Sequence, residues 1–184
     1  MSSLKQWWPP LHGHRMQVSN TLIAAAIAVS WFALAPASII LLYNGSPSAP
    51  VGFYLRTADT PRIGSYVTVR AASVAPLYAA LRNFSGPRDR FIKRIAAMGG
   101  ARACARGDRV EVNGSELTRL HRDRAGRRLP AWQGCRLLAR DEVFLIGDTP
   151  DSFDSRYWGP IRRRLIDGVW RRLFAPSPLG KRRT

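Results

Sequence analysis

A mostly β domain behind one membrane-spanning helix is the fold that this sequence predicts. An apolar run without a charged residue extends from Thr21 to Tyr43, and a helix needs about 20 such residues to cross a bilayer. After this run, short segments rich in Val, Ile, Tyr and Phe alternate with turn signals from Gly, Asn and Pro, a pattern typical of strands. Together these observations predict a helical anchor followed by a β domain.

The flanks of the apolar run predict how the chain is organised. Residues 1–20 are polar and carry positive charge, and none follows closely after the run. The positive-inside rule then places residues 1–20 in the cytoplasm, residues 21–43 in the membrane as a helix, and residues 44–184 on the far side. A cleavable signal peptide is the alternative, with small residues between Ala33 and Ala37 as its cleavage pattern. The length of the run favours the anchor.

The composition is that of a folded chain with a strongly basic surface. Of its 184 residues 46% are hydrophobic, and 29 Lys and Arg against 12 Asp and Glu give a formal net charge of +17. Such a charge favours contact with anionic lipid or nucleic acid. Because zinc-ligand spacing and a helix-turn-helix pattern are both missing from the sequence, membrane lipid is the expected partner and nucleic acid is not. A non-catalytic, membrane-anchored basic module that binds DNA or a secretion complex is the alternative to an enzyme.

Five segments of the β domain are predicted to be strands, because turn residues interrupt or flank them. They are residues 66–69, 90–96, 108–114, 141–147 and 165–174. The Asn113-Gly114 pair indicates a hairpin turn after the third of them. Residues 71–88 favour a short helix followed by a loop, and the basic tail from Pro176 onward is expected to fray.

Lys93 occupies an unusual position in the second predicted strand. Side chains alternate between the two faces of a strand, so Phe91, Lys93 and Ile95 share one face. A lysine between two large apolar residues can extend its amine to solvent. If it does not, desolvation disfavours the charged form and lowers the pKa of the amine. A neutral amine is a general base that can activate a serine hydroxyl, as in known Ser-Lys pairs.

Two serines lie in the turn-rich loop Asn44-Gly45-Ser46-Pro47-Ser48-Ala49-Pro50. Serines in such loops are usually turn formers. Here, however, the loop is followed in order by Phe91-Ile92-Lys93-Arg94 and by Gly147-Asp148 with Ser152-Phe153-Asp154-Ser155-Arg156-Tyr157-Trp158-Gly159. The three segments resemble the motif boxes of the bacterial type I signal peptidase family. They are most similar to its TraF-like conjugative transfer branch, which matures pilin precursors.

This resemblance implies a role for each matching residue. Ser48 would be the nucleophile and Lys93 its general base. The hydroxyl of Ser46 would help the backbone N–H of Ser48 to hold the oxyanion, and Ser152 would orient the lysine. Three further residues would support the site without taking part in the chemistry, namely the ion pair of Asp154 with Arg156, and Asp148.

Two positions depart from the housekeeping signal peptidases. Ala49 stands where those enzymes carry a methionine, and Thr149-Pro150 replaces the asparagine that follows Gly-Asp. Both departures are tolerable in the conjugative branch. A general type I signal peptidase for secreted proteins is the alternative within the family. A LexA-like self-cleaving repressor also uses Ser-Lys chemistry, but here an anchor takes the place of its DNA-binding domain.

The resemblance further implies where the enzyme acts and on what. It would be a single-pass protein of the bacterial inner membrane with its catalytic domain in the periplasm. Its partners would be a pilin-like precursor, which it cleaves or cyclises, and a conjugative secretion apparatus. Ser-Lys chemistry calls for no metal and no cofactor. Because Ser48 follows directly after the predicted helix, its hydroxyl is expected near the membrane surface.

The remaining reactive side chains are two cysteines and one histidine of the β domain. Cys104 and Cys135 would be free thiols in the cytoplasm, but the oxidising outer compartment favours a disulfide between them. His121, in a charged loop, is the competitor of Lys93 as a base, because His12 and His14 fall on the cytoplasmic side.

Overall fold

The computed structural model describes residues 22–27 and 39–173. Residues 22–27 form a helical segment, α1, within a unit that comprises residues 1–38, and a second unit starts at Ile39. Among the described residues there is no helix that is both long and apolar enough to cross a membrane. Most of the predicted membrane helix, and the basic tail, lie outside the described residues.

The predicted end of the membrane helix at Tyr43 is wrong. Leu41–Asn44 form a strand, β1, which pairs antiparallel with β2, Gly52–Thr57. The ring of Tyr43 packs on that of Phe53 across the pair, with centroids 5.0 Å apart. The uncharged run could not reveal this boundary, because apolar residues without charge fit a strand as well as the end of a helix.

The second unit contains two antiparallel sheets. The larger sheet has seven strands in the order β1-β2-β11-β3-β4-β9-β10. Besides β1 and β2 it contains β3 Tyr66–Arg70, β4 Arg90–Met98, β9 Glu142–Ile146, β10 Ile161–Arg162 and β11 Ile166–Arg172. The smaller sheet has the order β7-β6-β5-β8. Its strands are β5 Arg102–Arg106, β6 Arg109–Val112, β7 Ser115–Thr118 and β8 Gly134–Leu137.

Helical turns occupy three of the connections. The helices α2 Ala71–Val74 and α3 Pro76–Leu81 link β3 to β4, as the sequence predicts for this region. A further turn of helix, α4 Ser155–Trp158, follows β9, and a 3₁₀ turn at Arg163–Leu165 precedes β11. The mostly β architecture is thereby confirmed for residues 39–173.

Strand β4 contributes side chains to three apolar clusters. Its Phe91 and Ile95 enter the main apolar core, its Ile92 packs in a separate cluster with Tyr54 and Trp170, and its Ala97 faces the core shared with the smaller sheet. Both faces of β4 are therefore covered. Lys93, in the middle of this strand, is accordingly buried.

The five predicted strands are all present, with ends shifted by a few residues. Asn113 and Gly114 both have positive φ, 49° and 82°, the backbone that a two-residue hairpin turn requires. They join β6 to β7. The partner strands β5 and β8, by contrast, went unpredicted because their residues lack a clear apolar alternation.

The predicted Cys104–Cys135 disulfide is present. The two residues face each other in the pairing of β5 with β8, with their Cα atoms 4.0 Å apart. The bridge spans 31 positions of the chain, and it fastens the edge strand β8 to the smaller sheet.

Removing this bridge should lower stability. Cys104→Ala with Cys135→Ala is expected to reduce the free energy of unfolding by about 3–4 kcal/mol, because the unfolded chain regains the entropy that the closed loop excludes. Urea denaturation of the parent and the double variant, each with and without reductant, measures this effect. A parent protein whose stability is the same with and without reductant would contradict it.

Candidate active site

One cleft is lined by four side chains that the sequence analysis identified, those of Ser46, Ser48, Lys93 and Ser152. Ser46 and Ser48 come from the loop between β1 and β2, Lys93 from β4, and Ser152 from the loop between β9 and α4. The cleft has a volume of about 490 Å³. Residues more than 100 positions apart in sequence therefore meet at one place, as the motif order predicts.

The loop that carries the two serines is held in shape by Asn44. Its amide nitrogen donates to the carbonyls of Ser46, Ala49 and Pro50 at 2.8, 2.9 and 3.3 Å, and its amide oxygen accepts from the Ser46 N–H at 3.1 Å. The Tyr54 hydroxyl adds a 2.6 Å hydrogen bond to the Pro50 carbonyl. Because Asn44 and Tyr54 are both buried, the loop is fixed from beneath.

Ser46 and Ser48 contact each other within this loop. The Ser46 hydroxyl accepts from the Ser48 backbone N–H at 3.3 Å and lies 3.1 Å from the Ser48 hydroxyl oxygen. A backbone N–H and a hydroxyl are thus placed side by side at the Ser48 position. Such a pair of donors is suited to stabilise an oxyanion that forms at Ser48.

The amine of Lys93 is withdrawn from solvent. The side chain is only 3% exposed, and its nitrogen lies 5.8 Å from the centre of the Phe91 ring. Burial lowers the pKa of Lys93 from 10.5 to about 8, against an opposing influence from the carboxylate of Asp154. An amine with a pKa this close to neutral can act as a base where an ordinary lysine cannot.

Ser152 is the hydrogen-bond partner of that amine. The Lys93 nitrogen donates to the Ser152 hydroxyl oxygen at 2.9 Å, and both groups are buried. Among the described residues the Lys93 amine and the Ser48 hydroxyl form no direct hydrogen bond, although both line the cleft. The distance between a base and the hydroxyl that it activates often shortens when substrate binds. The bond to Ser152 leaves the lone pair of a neutral amine available.

Asp154 and Arg156 form a buried ion pair behind the cleft. The Asp154 carboxylate accepts from the Arg156 guanidinium at 2.8 and 2.9 Å and from the Gly147 N–H at 2.8 Å. The same guanidinium donates to the carbonyls of Thr149, Pro150 and Ser152. Because it holds three carbonyls of one loop, it fixes the loop that presents Ser152.

Gly147 lies where the loop that carries Ser48 contacts the loop that carries Ser152. A β-carbon placed there would lie 1.9 Å from the Ser152 hydroxyl oxygen and 2.9 Å from the Ser48 carbonyl oxygen. In addition, the Asp148 N–H donates to that carbonyl at 2.8 Å. The Asp148 carboxylate accepts from Tyr66 and Arg94 at 2.9 and 3.1 Å. Asp148 thus ties the serine loop to the sheet.

The other predicted site residues lie elsewhere. The Cys104–Cys135 bridge belongs to the smaller sheet, and His121 is exposed and does not line the cleft. Asn44, Gly147 and the buried Arg119 were not predicted to have a role. Arg119 donates to the carbonyls of Gly107, Trp132 and Arg156. Only Asn44 had a readable signal, since an asparagine opening a Gly-Pro-rich loop is typical of a side-chain-capped turn.

A hydroxyl on a fixed loop, a buried amine of lowered pKa and a neighbouring backbone N–H are groups of the kind that hydrolases with a serine nucleophile use. The comparisons agree with this class. The sequence profile of the family described as "Signal peptidase, peptidase S26" matches residues 14–174. The chain belongs to this signal peptidase family. It is accordingly a serine peptidase whose substrate is a protein, and its mostly β domain is of the signal peptidase type.

Individual relatives can also be named. Two proteins of Escherichia coli, both described as plasmid transfer protein TraF, are 31% and 32% identical to this chain over 140 residues, which is 70% of this chain and 79% of theirs. Among solved structures, a signal peptidase I from Enterococcus faecalis is 20% identical, with a TM-score of 0.36 over 61% of this chain and 98% of that one.

The contact at Gly147 leads to a mutational test. Gly147→Ala should lower the free energy of unfolding by about 1–3 kcal/mol, the usual cost of overpacking, and reduce peptide cleavage, because the new methyl group pushes Ser152 away from Lys93. Gly45→Ala is the matched control, since its β-carbon would meet only the Tyr43 ring at an ordinary 3.5 Å. Equal stability and cleavage for the two variants would refute the role of Gly147.

Proposed function

We propose that this chain is a membrane-anchored serine endopeptidase with a catalytic dyad of Ser48 and Lys93. The observation that carries the proposal is the burial of the Lys93 amine in the cleft that also holds the Ser48 hydroxyl. Removing an amine from water is costly and disfavours its charged form. As a base for Ser48 it must be neutral, and burial favours the neutral form.

The proposed reaction proceeds through an acyl-enzyme. The Ser48 oxygen attacks the carbonyl carbon of the scissile bond while the Lys93 nitrogen takes the hydroxyl proton. The oxyanion accepts hydrogen bonds from the Ser48 N–H and from the Ser46 hydroxyl, which turns away from Ser48 to do so. The protonated Lys93 then donates its proton to the leaving amine, and the carbon–nitrogen bond breaks. Water, or an amine of the substrate, releases the acyl group in the reverse manner.

In this mechanism Ser152 orients the base and Asp154, Arg156 and Asp148 position the loops. Ser152 accepts one hydrogen of the Lys93 amine, which directs the lone pair of that amine. Within the ion pair, Arg156 fixes Ser152 by donating to the Ser152 carbonyl. The Asp148 N–H fixes Ser48 by donating to the Ser48 carbonyl. None of these residues has to exchange a proton with substrate.

The substrate we propose is a pilin-type precursor processed for conjugative transfer. Its support is the similarity to the two plasmid transfer proteins together with the motif pattern of the sequence. We place the chain in the bacterial inner membrane through the apolar run that begins at Thr21, with the peptidase domain in the periplasm. The Cys104–Cys135 bridge is compatible with that oxidising compartment. Release of the acyl group by the amino terminus of the precursor would give a cyclic product.

Loss of either dyad member should abolish cleavage. Ser48→Ala and Lys93→Met are each expected to slow processing of a co-expressed pilin precursor by at least about a thousandfold, because the two groups act as one unit. Ser115→Ala, an exposed serine of β7, is the control and should process normally. Substantial processing by either dyad variant would contradict the assignment and favour a binding module.

Stability separates a catalytic loss from misfolding in this test. The pKa of Lys93 is about 8 in the folded state and 10.5 otherwise, so the fold bears the cost of a buried ammonium below about pH 8. That cost decreases as pH rises from 8 to 10.5. Lys93→Met removes it, and the variant should therefore unfold at neutral pH no more easily than the parent.

The pH dependence of cleavage follows from the same pKa. Since only neutral Lys93 is active, kcat/KM should rise about tenfold per pH unit below pH 8 and level off above it. The profile is measured with a labelled peptide of the precursor, for the parent and for His121→Ala, which should coincide. A pH profile that changes in His121→Ala would replace Lys93 by the histidine.

A further inference from the structure

The cleft carries more positive charge than its own acidic residues neutralise. It is lined by four arginines and two aspartates: Arg82, Arg90, Arg124, Arg127, Asp123 and Asp151. Three of the arginines have a carboxylate partner, in the pairs Arg90–Asp167, Arg124–Asp151 and Arg127–Asp123. Within the part of the chain that the structure describes, Arg82 has none.

Arg82 is nevertheless held in place. It follows directly after α3, and its guanidinium carbon lies 5.6 Å from the centre of the Tyr78 ring. A cation over an aromatic face is attracted by the negative charge of that face. The guanidinium therefore has a preferred position at the cleft, and no described residue accepts a hydrogen bond from its N–H groups.

The ring beneath Arg82 is itself rigid. Tyr78 is 4% exposed, packs against Phe153 with ring centres 4.0 Å apart, and donates its hydroxyl to Asp123 at 2.9 Å. Burial, together with this hydrogen bond, raises the pKa of Tyr78 to about 12, so the ring stays neutral. Arg127 fixes the same aspartate and also donates to the Leu81 carbonyl. The Tyr78 ring that lies under Arg82 is therefore held by its packing on Phe153 and by its hydrogen bond to Asp123.

We infer that Arg82 is a specificity-determining residue that binds a carboxylate of the substrate chain, either an acidic side chain or a free C-terminus. The inference rests on the proposed function, because it takes the cleft as the place where the peptide lies. Arg90, Arg124 and Arg127 cannot serve in this way without giving up their own partners. A guanidinium with free donors matches a carboxylate in geometry as well as charge.

The test measures binding rather than cleavage. The Ser48→Ala protein is titrated by fluorescence anisotropy with labelled ten-residue peptides of Ala, Ser and Gly, in which one Glu or one Gln is moved through the sequence. A second set compares a free C-terminus with its amide. At low salt we expect one register of Glu, or the free C-terminus, to bind about fivefold more tightly than its neutral counterpart, which is the scale of an exposed ion pair.

The variants assign this preference to a residue. In the Ser48→Ala background, Arg82→Gln should abolish it and Arg82→Glu should reverse it, whereas Arg88→Gln, an exposed arginine outside the cleft lining, should leave it unchanged. The preference should also shrink as salt is added. A preference that survives Arg82→Gln, that is lost equally in Arg88→Gln, or that is absent from the parent overturns the inference.

This outcome is distinguishable from a failure of the proposed function. If the peptides bind with the expected charge preference but the intact Ser48 protein cleaves none of them or the precursor, the dyad is refuted and Arg82 is supported. If the precursor is cleaved and Arg82→Gln shows an unchanged preference, the dyad is supported and the role of Arg82 is refuted.

Discussion

The ε-amine of Lys93 is kept from water by apolar side chains that cover both faces of β4, and the rest of the site is arranged around that burial. Phe91 and Ile95 enter one core while Ile92 enters another, so the strand cannot tilt to expose the amine. A buried ammonium is costly, and the pKa of Lys93 falls to about 8 as a result. Arginine, whose guanidinium stays protonated in proteins, could not respond in this way. Of the 29 basic residues only Lys5, Lys93 and Lys181 are lysines.

Hydrogen bonds to backbone groups position the two loops that carry Ser48 and Ser152. Asn44 shapes the Ser48 loop, Arg156 shapes the Ser152 loop, and the two loops meet at Gly147, where no side chain would fit. The buried Lys93, Asp154 and Arg156 all have hydrogen-bond partners, and such a satisfied polar network is rigid. Such rigidity holds reacting groups in place before a substrate arrives.

The sequence predicted the strands with clear alternation, and it predicted the burial of Lys93 from its neighbours Phe91 and Ile95. The serines Ser46, Ser48 and Ser152 of the cleft were identified by the resemblance of their motifs to the signal peptidase family. The sequence did not predict the strand at Leu41–Asn44, because an uncharged apolar run is equally compatible with a strand. Nor did it predict Gly147 or Arg119, because their importance depends on contacts with distant backbone. Long-range hydrogen bonds of this kind leave no periodic pattern in the sequence.

The central claim, that burial brings the pKa of Lys93 down to about 8, is tested most directly by titrating its amine. NMR of protein labelled with ¹³C,¹⁵N-lysine gives the resonances of only three side chains, and Lys93→Arg identifies the one that matters. The account predicts a titration midpoint near 8 for Lys93. A midpoint near 10.4, the value of an unperturbed lysine, would contradict it.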